Sequence, residues 1–221
     1  MRLALLTVGG QRPAQPAVLK GLYPEWAHSA VDAAGVDAAL AELDADRLVI
    51  DARDLGALNL VLSRLMRRGR LADLQTAVLL AGPLGYLGRL GLPAELDAQL
   101  EIARRGSARL VGVLKDDSGG LCADGATLSP WQDGDWWVRA VVDDQRLIDG
   151  NARSLSVRRL GPAELEASVR LGRLRGRGRR GRSVQLACDP AQIVADGMGR
   201  QRPRSKRTFW AEPDLWQLAL P

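Results

Sequence analysis

The sequence predicts an α/β fold in which a parallel-sheet domain precedes an antiparallel, β-rich domain. Three observations carry this. Up to about residue 120, short apolar runs alternate with stretches of helical spacing. Beyond it, the runs become short, close-set and divided by Gly, Pro and Asp. Charge divides along the chain too: residues 1–150 hold 16 basic and 20 acidic side chains, residues 151–221 hold 15 and 6. Such asymmetry marks two units, the second facing an anionic partner. A chain of 221 residues can bury a substantial core.

Arg2–Val8 is an apolar run ending at Gly9-Gly10, read as a strand entering a turn. Gln11–Pro24 reads as a loop, and the Ala-rich run Glu25–Leu43 as a helix that Gly35 divides. Arg47–Asp51 is a short strand. Leu58, Val61, Leu62 and Leu65 share one face of a helix over Leu55–Arg68, stopped by Gly69. Thr76–Ala81 is a strand, Ala94–Arg105 a helix after Pro93, and Arg109–Lys115 a strand. Strands alternating with helices imply a parallel sheet. Trp136–Asp143, Ser154–Arg159, Ser183–Cys188, Gln192–Ala195, Lys206–Trp210 and Leu215–Leu220 then read as antiparallel strands. Arg170–Arg182, with seven Arg, four Gly and no acid, reads as a solvated hairpin loop.

Several functions are excluded. One His and two Cys cannot build a His/Cys zinc cluster or a c-type haem site. Cys122 and Cys188 form no disulfide framework, which points to a reducing compartment and a cytoplasmic protein. Ala77–Gly88, broken by Pro83, is too short to span a membrane. The first apolar run is too short for a signal peptide.

The candidate chemistry is sparse. His28 has no G-x-S-x-G elbow to serve and reads as a helix-surface or core residue. Asp116-Asp117 and Asp143-Asp144 flank turns, where Asp bonds its own backbone. Asp196-Gly197 reads as a tight turn. The tryptophans read as core packing, with a membrane-interface role as the sharper alternative. The strongest physical signal is the anion-attracting set Arg170, Arg173, Arg175, Arg177, Arg179, Arg180 and Arg182. It lacks the interleaved aromatics of a single-strand binder, which disfavours nucleic acid against anionic lipid or another phosphate-bearing ligand. Arg200, Arg202, Arg204, Lys206 and Arg207 are read as extending the same surface.

Taken in order, the pieces resemble the diacylglycerol kinase / sphingosine kinase catalytic family, related to the NAD kinases. Where that family has a strand, a GGDGT loop and Leu-Asn-x-Val, this chain has Leu48-Val49-Ile50, Arg53-Asp54-Leu55-Gly56-Ala57 and Leu58-Asn59-Leu60-Val61. The family's run Leu-Gly-Thr-Gly-Asn-Asp-Leu-Ala-Arg-x-Leu-Gly-Ile-Pro is matched at its ends by Leu80–Pro93. Val194-Ala195-Asp196-Gly197 and Phe209-Trp210-Ala211-Glu212-Pro213 match near the C-terminus. The resemblance implies a Rossmann-like N-terminal domain over 1–120 and a C-terminal β-sandwich domain over 121–221, truncated by a missing strand–helix unit before Arg53.

The departures from the family pattern fall at its chemistry. Two loop glycines are Arg53 and Asp54, and the loop Asp is Leu55, which neither binds Mg²⁺ nor accepts a proton. The family's Asn-Asp is Leu84-Gly85, and its late Asp-Gly-Glu is Asp196-Gly197-Met198. The resemblance leaves Arg53, Gly56, Asn59 and Gly82 as cofactor-binding candidates, Asp196 as the catalytic candidate, and no metal ligand. The leading expectation is a degenerate lipid-kinase-like protein without ordinary kinase activity, a ligand- or partner-binding pseudokinase. The alternatives are an active ATP- and Mg²⁺-dependent lipid or NAD kinase with relocated groups, and a basic module on anionic membrane or nucleic acid. Exposed strand edges suggest a homodimer, and the basic surface a peripheral membrane contact.

Overall fold

The computed structural model describes residues 1–9, 26–80, 84–172, 176–199 and 202–221, the side chains of 84–86 aside. The expected loop Gln11–Pro24 lies outside them. The chain forms two compact units, Met1–Val111 with Asp214–Pro221, and Gly112–Pro213. A division at residue 120 does not anticipate the return of the last residues to the first unit.

The first unit contains β1 (Leu3–Val8), β2 (Trp26–Ala30), α1 (Ala33–Glu42), β3 (Arg47–Ala52), α2 (Leu55–Arg67), β4 (Gln75–Leu80), α3 (Leu84–Leu90) and α4 (Leu96–Arg105). The end of β15 (Arg204–Leu220) joins its sheet, whose order is β15-β4-β3-β1-β2 with parallel pairings. All of β3 is buried, as expected of a parallel strand covered on both faces.

The helix expected over Glu25–Leu43 is instead a strand followed by a helix. Residues 26–30 are Ala-containing but alternate half-buried and exposed, and they pair with β1 in register from Trp26 to Ala30. The Trp26 and His28 rings, two residues apart on one strand face, stack at 5.5 Å. The helix begins only where the Asp32 carboxylate accepts the Gly35 N–H at 2.8 Å. His28 therefore sits on a strand, at the edge of the sheet among the described residues, and β2 and α1 lie between β1 and Arg53. The helix α3 was not anticipated, because Gly85 and Gly88 weaken its pattern.

Side chains close the ends of these elements. Gly69, at φ 67, lets the Gly69 N–H reach the Met66 carbonyl and the Arg70 N–H reach that of Leu65, the Schellman arrangement. Arg47 is buried and donates to the Ile102, Ala103 and Gly106 carbonyls at 3.3, 2.9 and 2.7 Å, covering the C-terminal end of α4. Gln99 pairs with both the N–H and C=O of Leu80, at 2.8 and 3.0 Å. At the other side of β4, Trp216 Nε1 donates to Thr76 Oγ1 at 2.7 Å, and Thr76 Oγ1 donates to the Gln217 carbonyl at 2.8 Å.

The second unit begins within β5 (Ser107–Asp116) and is antiparallel throughout its described pairings. It contains β6 (Leu121–Cys122), β7 (Gly125–Pro130), β8 (Trp136–Val142), β9 (Gln145–Ala152), β10 (Ser154–Arg159), β11 (Leu165–Arg170), β12 (Gly176–Gly181), β13 (Ser183–Ala195) and β14 (Met198–Gly199), with the start of β15. Ser183–Cys188 and Gln192–Ala195, expected as separate strands, are one strand. It pairs with β8 over Val184–Cys188 and with β7 over Ala191–Ala195, its register shifting against β15 between Ala187 and Ala191. Lys206–Trp210 and Leu215–Leu220 are likewise one strand, β15.

Trp136, Phe209, Val138, Leu155 and Val184 lie in one core. Of the tryptophans read as core, Trp136 and Trp216 are buried, whereas Trp131 and Trp137 are exposed. Both cysteines are buried thiols outside any disulfide, and burial pushes the Cys188 thiol up to about 11. No helix among the described residues is long and apolar enough to cross a membrane.

Replacing Arg47 by Met removes the donor to three carbonyls while keeping much of the stem volume. A loss of about 2–4 kcal/mol in urea unfolding is expected, since buried acceptors are left unpaired.

Candidate functional site

From β1 the chain passes to β2 on one side of the sheet, then to β3 on the other. The strand order reverses between β1 and β3, and open α/β sheets bind ligands outside the carboxyl ends of their strands at such a point. Val8 and Ala52, the last residues of these strands, are register partners. The Arg53 N–H donates to the Val8 carbonyl at 3.1 Å and the Gly9 N–H to that of Ala30 at 3.2 Å. Gly9 has φ 84, and a Cβ there would meet the Cβ atoms of Arg53 and Ala57 at 3.2 and 3.3 Å. The turn after β1 thus packs directly on the β3–α2 loop.

That loop ends at the N-terminus of α2, where free N–H groups and the helix dipole would favour an anion. The loop supplies its own. Asp54, extended at φ −153, is the N-cap, and its Oδ1 accepts the Ala57 N–H at 2.9 Å. Its Oδ2 faces Arg53 Nε at 3.1 Å, with both side chains more than half exposed. The Ala57 amide, with Arg53 adding, holds the Asp54 carboxyl below its ordinary 3.8 against the opposing effect of burial. Arg53, the candidate phosphate contact, is thereby engaged by the acid beside it.

The other candidates are dispersed. Gly56 is buried in the first turn of α2. Asn59 is 3% exposed, and its Oδ1 accepts the Ser63 hydroxyl at 3.1 Å. Gly82 lies outside the described residues. Asp196, in the second unit, sits in a two-residue turn with Gly197, at φ 46 and 82, between Ala195 and Met198. Its carboxylate is buried and accepts the N–H groups of Ala123, Asp124 and Gly125 at 2.6, 3.1 and 2.9 Å. Both oxygens are therefore used by the backbone entering β7.

The arginine run is not a loop throughout. Arg170 ends β11, and Arg177, Arg179 and Arg180 lie on β12, which among the described residues pairs with β11 alone; Arg182 follows it. Arg173 and Arg175 lie outside the described residues, as does Arg200. Arg207 does not extend the basic surface: it is 5% exposed, with Nη1 2.8 Å from Asp117 and 3.9 Å from Asp116. Burying an arginine in strand β15 required these acids, which sequence spacing did not connect with it. Asp116 also accepts the Ser118 and Gly120 N–H groups, as a turn acid does, whereas Asp143 accepts those of Arg182 and Ser183, 39 and 40 positions away.

One polar pair near the strand ends was missed. Thr7 Oγ1 lies 3.3 Å from Asp51 Oδ2, both buried and opposite each other in β1 and β3. The available signal was an acid closing an otherwise apolar strand run. Among the described residues, no group of three or more His, Cys, Asp or Glu is placed to hold a metal.

No family model matches the sequence, and no curated protein matches it. Solved structures do match. A diacylglycerol kinase from Bacillus anthracis str. Sterne superposes with TM-score 0.76 at 10% identity, over 100% of this chain and 97% of that one. The fold is that of the diacylglycerol kinases and NAD kinases. An Archaeoglobus fulgidus NAD kinase in complex with ATP gives TM-score 0.65 at 13% identity, over 99% and 92%. Yeast NADH kinase complexed with NADH gives 0.65 at 9%, over 100% and 83%. The kinase fold thus extends through both units, at identities that speak for fold alone.

Asp54→Ala should cost about 1 kcal/mol at neutral pH, the usual worth of an N-cap. Because the folded pKa is depressed, this contribution is present above 3.8 and is lost as pH falls through the folded value. Paired urea titrations across acid pH should show the gap between the two proteins close. Asp196→Ala should cost more, about 2–4 kcal/mol, because three backbone donors lose their acceptor. Thermal unfolding of the purified variant checks it.

Proposed function

We propose that this chain is a kinase-fold protein without ordinary ATP-dependent phosphoryl transfer, a pseudokinase that binds a ligand or partner. The observation that carries the reading is the Asp54 carboxylate on the N-terminus of α2. An ATP phosphate brought to this helix would meet a negative charge already holding the N–H group, with Arg53 drawn toward it. Carried over from the ATP-bound NAD kinase neighbour, ATP is the nucleotide that the fold would take. Leu55 offers no oxygen to its Mg²⁺. In the second unit, taken as the β-sandwich that the resemblance implies, Met198 stands where the family has an acid. Asp196 beside it is committed to three backbone N–H groups. The residues therefore suit a retained scaffold better than relocated chemistry.

Purified protein incubated with labelled ATP·Mg²⁺ and either diacylglycerol or NAD should transfer no phosphate above a protein-free blank. Measurable transfer to either acceptor overturns the reading. Titration calorimetry should also show Asp54→Gly binding ATP about tenfold more tightly than the unaltered chain.

A further inference from the structure

Two surfaces of the second unit carry opposite charges. The first is a cavity of about 400 Å³ whose lining includes Trp131, Asp133, Asp135, Asp189, Pro190 and Pro203, and no basic residue. The β7–β8 loop is pinned to the point where β13 changes partners. The Trp131 N–H donates to the Pro190 carbonyl at 2.9 Å, Trp136 Nε1 to the Asp189 carbonyl at 3.0 Å, and the Trp137 N–H to Asp189 Oδ2 at 3.0 Å. Trp131 remains 43% exposed. Among the described residues, Asp133 and Asp135 have no hydrogen bond or ion pair, and Asp189 keeps its second oxygen free.

The acids do not gather as a metal site would. An indole face edged by separated carboxylates fits a flat, delocalised cation that stacks and donates at once, which is a guanidinium.

The second surface is the free edge of β12. Arg177 and Arg180 are exposed and Arg179 half-buried, and none makes an ion pair among the described residues, with Arg180 opposite Glu166 of β11; Arg182 is exposed and lies near the Asp143 carboxylate. Gly176 and Gly178 between them carry no side chain to hold an indole away from the strand, whereas the space beside Gly181 is taken by Val142 and Asp143. Direct pairing of β12 with another β12 would set Arg against Arg and is disfavoured.

We propose that the Arg-Gly edge of β12 in one copy of this chain docks in the Trp131 cleft of a second copy. Arginine stacks on the exposed indole and bonds the carboxylates. Because each chain carries both surfaces, two copies can exchange the contact reciprocally about a two-fold axis.

The test is the mass of the full chain by sedimentation velocity at about 0.02 M and about 0.5 M salt, where screening differs most. Association at low salt, weakened at least about tenfold at high salt, is expected. The double variants Asp133→Lys/Asp135→Lys and Arg177→Glu/Arg179→Glu should each be monomeric alone, and an equimolar mixture should associate again. Circular dichroism confirms that each is folded, and Trp131→Ala, which changes no charge, should also weaken association. A chain that is monomeric at both salts overturns the proposal. So does association that both double variants leave intact, or a mixture that stays monomeric. Arginine-dependent binding to anionic vesicles by a chain that remains monomeric also overturns it, assigning the edge to a membrane.

Discussion

A buried backbone N–H or C=O left unpaired costs about 1–3 kcal/mol, and much of this structure answers that constraint. Regular pairing satisfies the strand interiors. The ends of elements need side chains: Arg47 for the carbonyls of α4, Gln99 for the margin of β4, Asp196 for the amides before β7, and Asp54 for the start of α2. These groups are scattered through the sequence but do one job. At α2 the same physics bears on the reading proposed above: the Ala57 N–H at the helix start already has its acceptor within the chain, in Asp54.

The central α/β pattern was legible because it rests on local signals. Buried apolar runs made β1, β3 and β4 visible, and the 3.6-residue spacing with Gly69 marked α2 and its end. Edge elements were harder. Residues 26–30 carry Ala and a single alternation, so their strand state comes from pairing with β1. The arginine run hid a strand because its Gly and Arg content carries no apolar face; pairing with Leu165–Arg170 makes it one.

At the candidate site, sequence showed which residues stand in the loop but not what they hold. Asp54 reads as repulsion to phosphate, whereas in three dimensions it is also a cap. Asp196 reads as a turn residue with a family precedent, and its burial against Ala123–Gly125 depends on pairing over some seventy positions, from |i−j| of 71 to 73. The Arg207–Asp117 pair spans 90 positions and leaves no periodic trace. Long-range partners of polar side chains are what one sequence does not encode locally.

The return of the last strand to the first unit has a consequence for the order of events. Leu218 pairs with Thr76, and Trp216 bonds the same threonine across 140 positions. The β4 margin of the first unit is therefore completed by a segment made only after every residue of Gly112–Pro213. The β4 margin waits through the synthesis of the whole second unit. Such a closure carries the entropy of a long loop and makes the C-terminal strand the latch of the N-terminal fold.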